Sequence, residues 1–263
     1  MDDDIYAINP DGSGFRRLTS NPGPEFDPAW SPDGSRIVYR DSRRGINNDD
    51  EIYVMNADGS HQRDLTNDPA NDWGPAWSAD GTKIAFSSDR NGLPQIYVMD
   101  VDGSALSRRT DVEGEYPAWS PDGTKIAFMS QGGPGGSGGA PGYDISLMSA
   151  DGSGLQGLTH APGEDGWPAW SRDGTRIAFS STRDDHGQLG QDGPLYDIYV
   201  MSADGSDQMR VTERFGQFSD WSPDGRFILV TPGGYVVRPD GSGVTLLPAS
   251  AKGGSLDFAD WLG

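Results

Sequence analysis

Two short phrases alternate along the whole chain, and a chain that repeats itself at this interval buries its apolar faces by stacking one copy against the next. The first phrase has the form AWSPDG and is centred on Trp30, Trp77, Trp119, Trp170 and Trp221, with a cut-off sixth copy at Asp260-Trp261. The second has the form IYVMxADGS and begins at Ile5, Ile52, Ile96, Ile145 and Ile198, with a degenerate version at Tyr235. Successive tryptophans stand 47, 42, 51, 51 and 40 residues apart, close to the period of a four-stranded propeller blade.

Each period reads as four strands. Strand a ends at the tryptophan, strand b is the KIAF type with Ile84 and Phe86, strand c is IYVM, and strand d is the RRLT type with Leu18, Leu65 and Leu158. Asp-Gly pairs such as Asp33-Gly34 and Asp80-Gly81 close the a–b link, and Asp58-Gly59 and Asp102-Gly103 do the same for the c–d link, glycine supplying the positive φ that a tight hairpin needs. The expectation is one all-β domain over residues 1–263, a six-bladed β-propeller of four-stranded antiparallel blades. Its closing blade takes strands c and d from the N-terminus and strand a from the C-terminus. No strand b is visible for it, since only Met1-Asp2-Asp3-Asp4 precede Ile5. The reading is that natural residues precede Met1, and that the ring as written is either loosened or completed by a neighbouring chain.

Composition narrows the function classes. Eight Trp, nine Tyr and nine Phe recur in register with the turns, which excludes a disordered chain. The longest apolar runs, such as Phe227-Ile228-Leu229-Val230, are too short for membrane insertion, and the acidic start lacks the basic and apolar regions of a signal peptide. Without cysteine there is no thiolate nucleophile or Cys-ligated metal. A net charge of −20 disfavours nucleic acid and anionic lipid as partners and favours cations or basic proteins.

Units reading PAWSPDGTKIAF, then DIYVMSADGS, then LT resemble the repeats of TolB-like β-propellers (WD40-like repeats), and they cover essentially the whole chain. That resemblance implies blades around an axial channel, a periplasmic or secreted location, and mostly protein binding. In relatives it also implies polysaccharide lysis or regulation of a peptidase.

In such a blade the a–b and c–d turns share one face and the b–c and d–a connections share the other. The first face is made of near-identical Asp-Gly turns. The second carries the variation: b–c loops run over about Arg40–Asp50, Gln131–Gly142 and Thr182–Tyr196, against Asp89–Pro94 in the shortest. Variation confined to one face marks a binding surface. The Gly135–Gly139 stretch matches G-x-S-x-G only formally, because a glycine-rich hairpin loop offers no strand-to-helix elbow.

Just ahead of each strand a stand Glu25, Asp72, Glu115, Asp165 and Asp257, with Gln217 in the remaining copy. Brought to one axis, these oxygens suit a hard cation such as Ca²⁺ at the channel mouth, or the basic groups of a partner. The competing reading pairs them with nearby arginines, for example Arg90 or Arg183. Trp73, Tyr116 and Trp167 are aromatic anchors for a peptide or sugar, and His160 and His186 fall on the same variable face. His160, Asp165 and His186 also spell a two-His-one-carboxylate metal site. The primary expectation is a non-enzymatic scaffold that binds a protein or peptide, requires no cofactor, and carries Ca²⁺ as an option. A metal-assisted polysaccharide lyase or hydrolase, and a regulatory propeller of a peptidase, stay open beside it.

Overall fold

A computed structural model of the chain describes residues 4–9, 13–42, 49–131, 142–184, 189–190, 193–194, 196–213, 216–231 and 234–247. Strands β1 (Tyr6–Ala7) and β2 (Arg16–Arg17) form a two-stranded ladder. Blade I follows as β3 (Glu25–Trp30), β4 (Arg36–Asp41), β5 (Glu51–Asn56) and β6 (Arg63–Asp64). Blade II comprises β7 (Asp72–Trp77), β8 (Lys83–Ser88), β9 (Gln95–Asp100) and β10 (Ser107–Arg108). Blade III comprises β11 (Glu113–Trp119), β12 (Lys125–Gln131), β13 (Tyr143–Ser149) and β14 (Gln156–Gly157). Blade IV comprises β15 (Asp165–Trp170), β16 (Arg176–Ser181), β19 (Asp197–Ser202) and β20 (Met209–Arg210), with a minor ladder of β17 (Leu189–Gly190) and β18 (Gly193–Pro194) inside its b–c connection. Blade V comprises β21 (Phe218–Trp221), β22 (Ile228–Thr231), β23 (Tyr235–Val237) and β24 (Thr245–Leu246). Each blade is a meander in which neighbouring strands are consecutive apart from that insertion, and no helix occurs among the described residues.

Among the described residues there are five four-stranded blades, and the expectation of six is corrected to that number. Repeat phrases count tryptophans and turns, whereas a blade needs two inner strands as well. The N-terminal copy supplies only the c and d phrases, which pair as β1 and β2 and stop there. Asp260-Trp261, on which the closing strand a rested, lies outside the described residues.

Each repeated residue has a local physical reason. In the SPDG turn, Ser31 Oγ donates to Asp33 Oδ1 at 2.6 Å while accepting from Arg36 N at 2.9 Å, and Gly34, at φ +67°, donates its N–H to the Ser31 carbonyl. The Ser31 hydroxyl, with the N–H and hydroxyl of Ser35, holds the Asp33 carboxyl down at about 2. The threonine of the LT phrase accepts the strand-c isoleucine N–H: Ile5, Ile52, Ile96, Ile145 and Ile198 donate to Thr19, Thr66, Thr110, Thr159 and Thr212 at 2.8–3.0 Å. Strand d is only two residues long in each blade, so this side-chain bond extends the pairing where the backbone ladder ends.

The core lies between blades. One cluster joins Val38, Ile52, Val54 and Leu65 of blade I to Trp77, Ile84, Phe86, Tyr97 and Met99 of blade II, and the same pattern recurs between blades III and IV and between IV and V. Strand b is covered on both faces, so Ile84, Ala85 and Phe86 are all buried and the strand reads as a continuous apolar run. Each such buried side chain contributes roughly 1.5–3 kcal/mol by removal from water. This stacking brings all five strands a to one shared cavity.

Candidate functional site

Four of the five strands a carry the same defect. The pairing with strand b skips Asp27-Pro28, Gly74-Pro75, Tyr116-Pro117 and Trp167-Pro168, each time resuming at the alanine before the tryptophan. Proline has no N–H to give to the ladder, so an X-Pro pair here makes a bulge. The residue ahead of each proline is thrown into the left-handed region, at φ 51°, 61°, 49° and 50° for Asp27, Gly74, Tyr116 and Trp167. For the three that are not glycine this costs on the order of 1–3 kcal/mol each, strain of the kind found where a side chain is aimed for use. Blade V has Ser219 in place of the proline, and its pairing runs without a break from Phe218 to Trp221.

Asp27, Gly74, Tyr116, Trp167 and Phe218 thus occupy one repeat position and line an axial cavity of about 540 Å³. The aromatic members touch in series: Tyr116 and Trp167 have ring centroids 5.7 Å apart, and Trp167 meets Phe218 edge-on at 5.1 Å and Tyr196 at 5.2 Å. Gly74 makes room for this, since a Cβ there would stand 2.9 Å from Tyr116 Cδ1. On the other side of Gly74, Asp27 Oδ2 accepts the Gly74 N–H at 3.3 Å and lies 3.5 Å from Arg40 Nε. Asp27 Oδ1, Trp167 Nε1 and Ser219 Oγ are buried without a hydrogen-bond partner, and all three residues line the cavity. Burial pushes the Asp27 carboxyl above its ordinary range against the opposing pull of Arg40. The Tyr116 phenol is raised by burial and then by the Asp27 charge.

The acids expected to form one ring fall in two registers. Glu25, Asp72 and Asp165 open their strands, opposite Asp41, Ser88 and Ser181, whereas Gly114 holds that place in blade III and Glu115 comes one residue later, opposite Met129. A one-residue slip turns a side chain to the other face of the sheet. Asp72 is fully buried, with Arg90 Nη2 at 2.9 Å from both carboxylate oxygens, and Asp165 accepts from Arg183 Nη2 at 2.7 Å. Both arginines are held alike: Nε donates to Ser88 or Ser181 at 2.8 Å, and the guanidinium stacks over Tyr97 or Tyr199. Glu25 accepts from Thr19 Oγ1 and Asn21 Nδ2. Burial raises all three carboxyls. Glu115 accepts from Trp73 Nε1 at 3.2 Å and from the Tyr143 hydroxyl at 2.6 Å.

Of the expected anchors, Tyr116 and Trp167 line the cavity, while Trp73 sits one position ahead of the bulge and is turned to Glu115. His160 is exposed, and Asp165, its supposed metal partner, is bonded to Arg183. His186 and Asp257 lie outside the described residues. Among the described residues no group of three His, Cys, Asp or Glu side chains is assembled to hold a metal ion. Sequence reasoning missed Asp27, Ser219 and Tyr196. The available signal was the proline two places before four of the repeat tryptophans, Pro28, Pro75, Pro117 and Pro168, which predicts a break in the ladder.

The family model for the TolB beta propeller domain matches residues 46–138 and 116–235. A curated relative, the protein TolB homolog of Chlorobium luteolum (strain DSM 273 / BCRC 81028 / 2530), is 41% identical over 44 residues, 17% of this chain and 10% of that protein. TolB from Acinetobacter baumannii superposes with a TM-score of 0.72 at 22% identity, over 90% of this chain and 57% of that one. The putative TolB from Agrobacterium tumefaciens gives 0.60 at 22% identity, over 83% of this chain and 93% of that one. The chain therefore spans a tenth of the curated relative and little more than half of the first of these structures, and at such identity the structural likeness is one of fold.

Proposed function

The chain belongs to the TolB β-propeller domain family, and from that premise we propose that it is a protein-binding scaffold whose axial cavity receives a basic side chain from a peptide segment of its partner. The observation that carries this reading is the unpartnered Asp27 Oδ1 beside the Tyr116–Trp167–Phe218 series. A carboxylate acceptor set against aromatic faces is complementary to an ammonium or guanidinium group, through a charge-assisted hydrogen bond and cation–π attraction. The net charge of −20 would draw such a segment in. Binding without chemical conversion fits the histidines, since His160 is exposed and Asp165 is engaged with Arg183. Ca²⁺ is kept apart from this reading because Asp72 and Asp165 already have arginine partners.

The test is calorimetric titration with capped tri-lysine, tri-arginine and tri-glutamate peptides. Basic peptides should bind and the acidic one should not. Asp27→Asn preserves size and tolerates the left-handed backbone, so it should weaken the basic peptides by roughly 10- to 100-fold, the worth of one charge-assisted hydrogen bond. Equal binding of all three peptides, or an unchanged affinity in Asp27→Asn, overturns the proposal.

A further inference from the structure

At four sheet interfaces an aliphatic residue at the end of strand d packs in one cluster with the following blade's tryptophan: Leu18 with Trp30, Leu65 with Trp77, Leu158 with Trp170 and Val211 with Trp221. Between blades II and III the same repeat position is Arg109, immediately before Thr110. Its backbone is placed like the others, with Arg109 N donating to the Ile96 carbonyl at 2.7 Å as Leu65 N donates to Ile52 at 2.8 Å. Only the side chain breaks the repeat. A locally inconsistent residue kept in a consistent frame points to use rather than packing.

A second cavity of about 540 Å³ lies between blades II and III, on the face of the Asp-Gly turns. Arg109, Trp119, Lys83, Asp80, Asp122 and Asp151 line it. Trp77, Trp170 and Trp221 each donate the indole N–H to an alanine carbonyl of the preceding blade, but Trp119 Nε1 has no acceptor, and neither has Arg109 Nε. Two buried donors without partners carry a desolvation cost, and both of their residues belong to the lining of this cavity. The lining mixes both signs, and Lys83 is itself ion-paired with Asp100 at 2.6 Å. The two cations of the lining, Lys83 and Arg109, stand against three carboxylates, a formal sum of −1. Those carboxylates are held ionised by hydrogen bonds from their own turns: Ser78 to Asp80, Ser120 to Asp122 and Ser153 to Asp151. An anion meets the three acids, and a cation meets Arg109.

We propose that this interblade pocket binds a neutral polyhydroxyl ligand the size of a single sugar ring. Each hydroxyl of such a ligand both accepts and donates, so it can take the Arg109 and Trp119 N–H groups while giving its own proton to Asp80, Asp122 or Asp151. The Trp119 indole and Pro121 supply the apolar wall for the ring face. The cavity volume falls in the range of small-molecule sites. This inference does not rest on Asp27, although Trp119 and Pro121 line both cavities.

The experiment follows the indole N–H resonances of ¹⁵N-labelled protein during titration with glucose, galactose and mannitol, with sulfate and lysine amide as charged controls. The Trp119 resonance, identified by its loss in Trp119→Phe, should shift and saturate with a dissociation constant of roughly 1–10 mM while the other indoles stay in place. Arg109→Leu restores the residue type of the other interfaces, so its melting temperature should not fall while the Trp119 shift is lost. Asp27→Asn should leave the shift intact. A Trp119 resonance unmoved by all three polyols, an equal response to sulfate or lysine amide, or an undiminished response in Arg109→Leu overturns the proposal. Maltotriose, added in a parallel arm, separates a free sugar from the end of a longer glycan by whether the same resonance moves.

Discussion

Trp77 donates its indole N–H to the carbonyl of Ala29 at 3.0 Å across 48 residues of sequence, fastening strand a of blade II to strand a of blade I. Trp170 does the same to Ala118 and Trp221 to Ala169, so the repeat tryptophan is a tie between blades as well as core. Trp77→Phe keeps most of the ring and removes the tie. It should cost about 1–2 kcal/mol, seen as a lower urea midpoint with an unchanged slope. Trp119→Phe should cost less than half as much, because Trp119 Nε1 has no acceptor to lose. Equal losses in the two variants would show that the indole bond contributes nothing.

Burial pushes the Glu51 carboxyl up to about 7 from an unfolded value of 4.5, despite the Thr66 hydroxyl and Asp68 N–H that it accepts. The folded state then binds more protons than the unfolded state between these values, so stability should fall as pH rises from 4.5 to 7 and level off above. At about 1.4 kcal/mol per pH unit between 4.5 and about 7, the fall is on the order of 3–4 kcal/mol. Glu51→Gln should flatten that part of the melting-temperature profile. Glu25, Asp72 and Asp165 are shifted in the same direction, so the variant keeps some slope. A profile as steep as that of the parent would remove Glu51 from the account.

What was legible in the sequence follows from what acts locally. The Asp-Gly turns depend on neighbours within a phrase and repeat with it, whereas the threonine–isoleucine bonds and the tryptophan ties join strands and blades that no single phrase contains. The bulge went unread because strand pairing is a relation between two strands, and Asp72 and Glu115 are not equivalents: they stand five and four residues before their tryptophans, so Gly114 takes the place of Asp72. The arginine partners were legible as an alternative, since Arg90 and Arg183 follow strand b at the same distance. Blade number was overcounted for a related reason: a phrase can recur where its partner strands do not, as in β1 and β2.

Gly74 should resist substitution more than any other residue of the bulge position. It combines φ +61° with a Cβ direction that ends 2.9 Å from Tyr116 Cδ1. Gly74→Ala should cost roughly 1–3 kcal/mol from backbone strain, with the contact added to it. Displacement of the Tyr116 ring from Trp167 should also change the near-ultraviolet circular dichroism. A variant with unaltered melting temperature and spectrum would mean that the cavity wall yields freely.

Arg90 and Asp72 make the sharpest case for structural rather than metal-binding acids. Asp72 is fully buried, and its partner also packs over Tyr97, at 5.0 Å, and Phe86. Arg90→Met keeps the packed stem but leaves a buried carboxylate alone, which should cost about 3–5 kcal/mol near neutral pH. Because burial already raises the Asp72 carboxyl, its proton is regained readily once Arg90 is gone, so the loss should shrink in acid. Asp72→Asn combined with Arg90→Met should recover much of the stability, since the uncompensated charge is what destabilises. The decisive control is millimolar Ca²⁺ added to the single variant. If the melting temperature of Arg90→Met returned to that of the parent with Ca²⁺ alone, Asp72 would be able to exchange its arginine for a metal, and the salt-bridge account of these acids would fail.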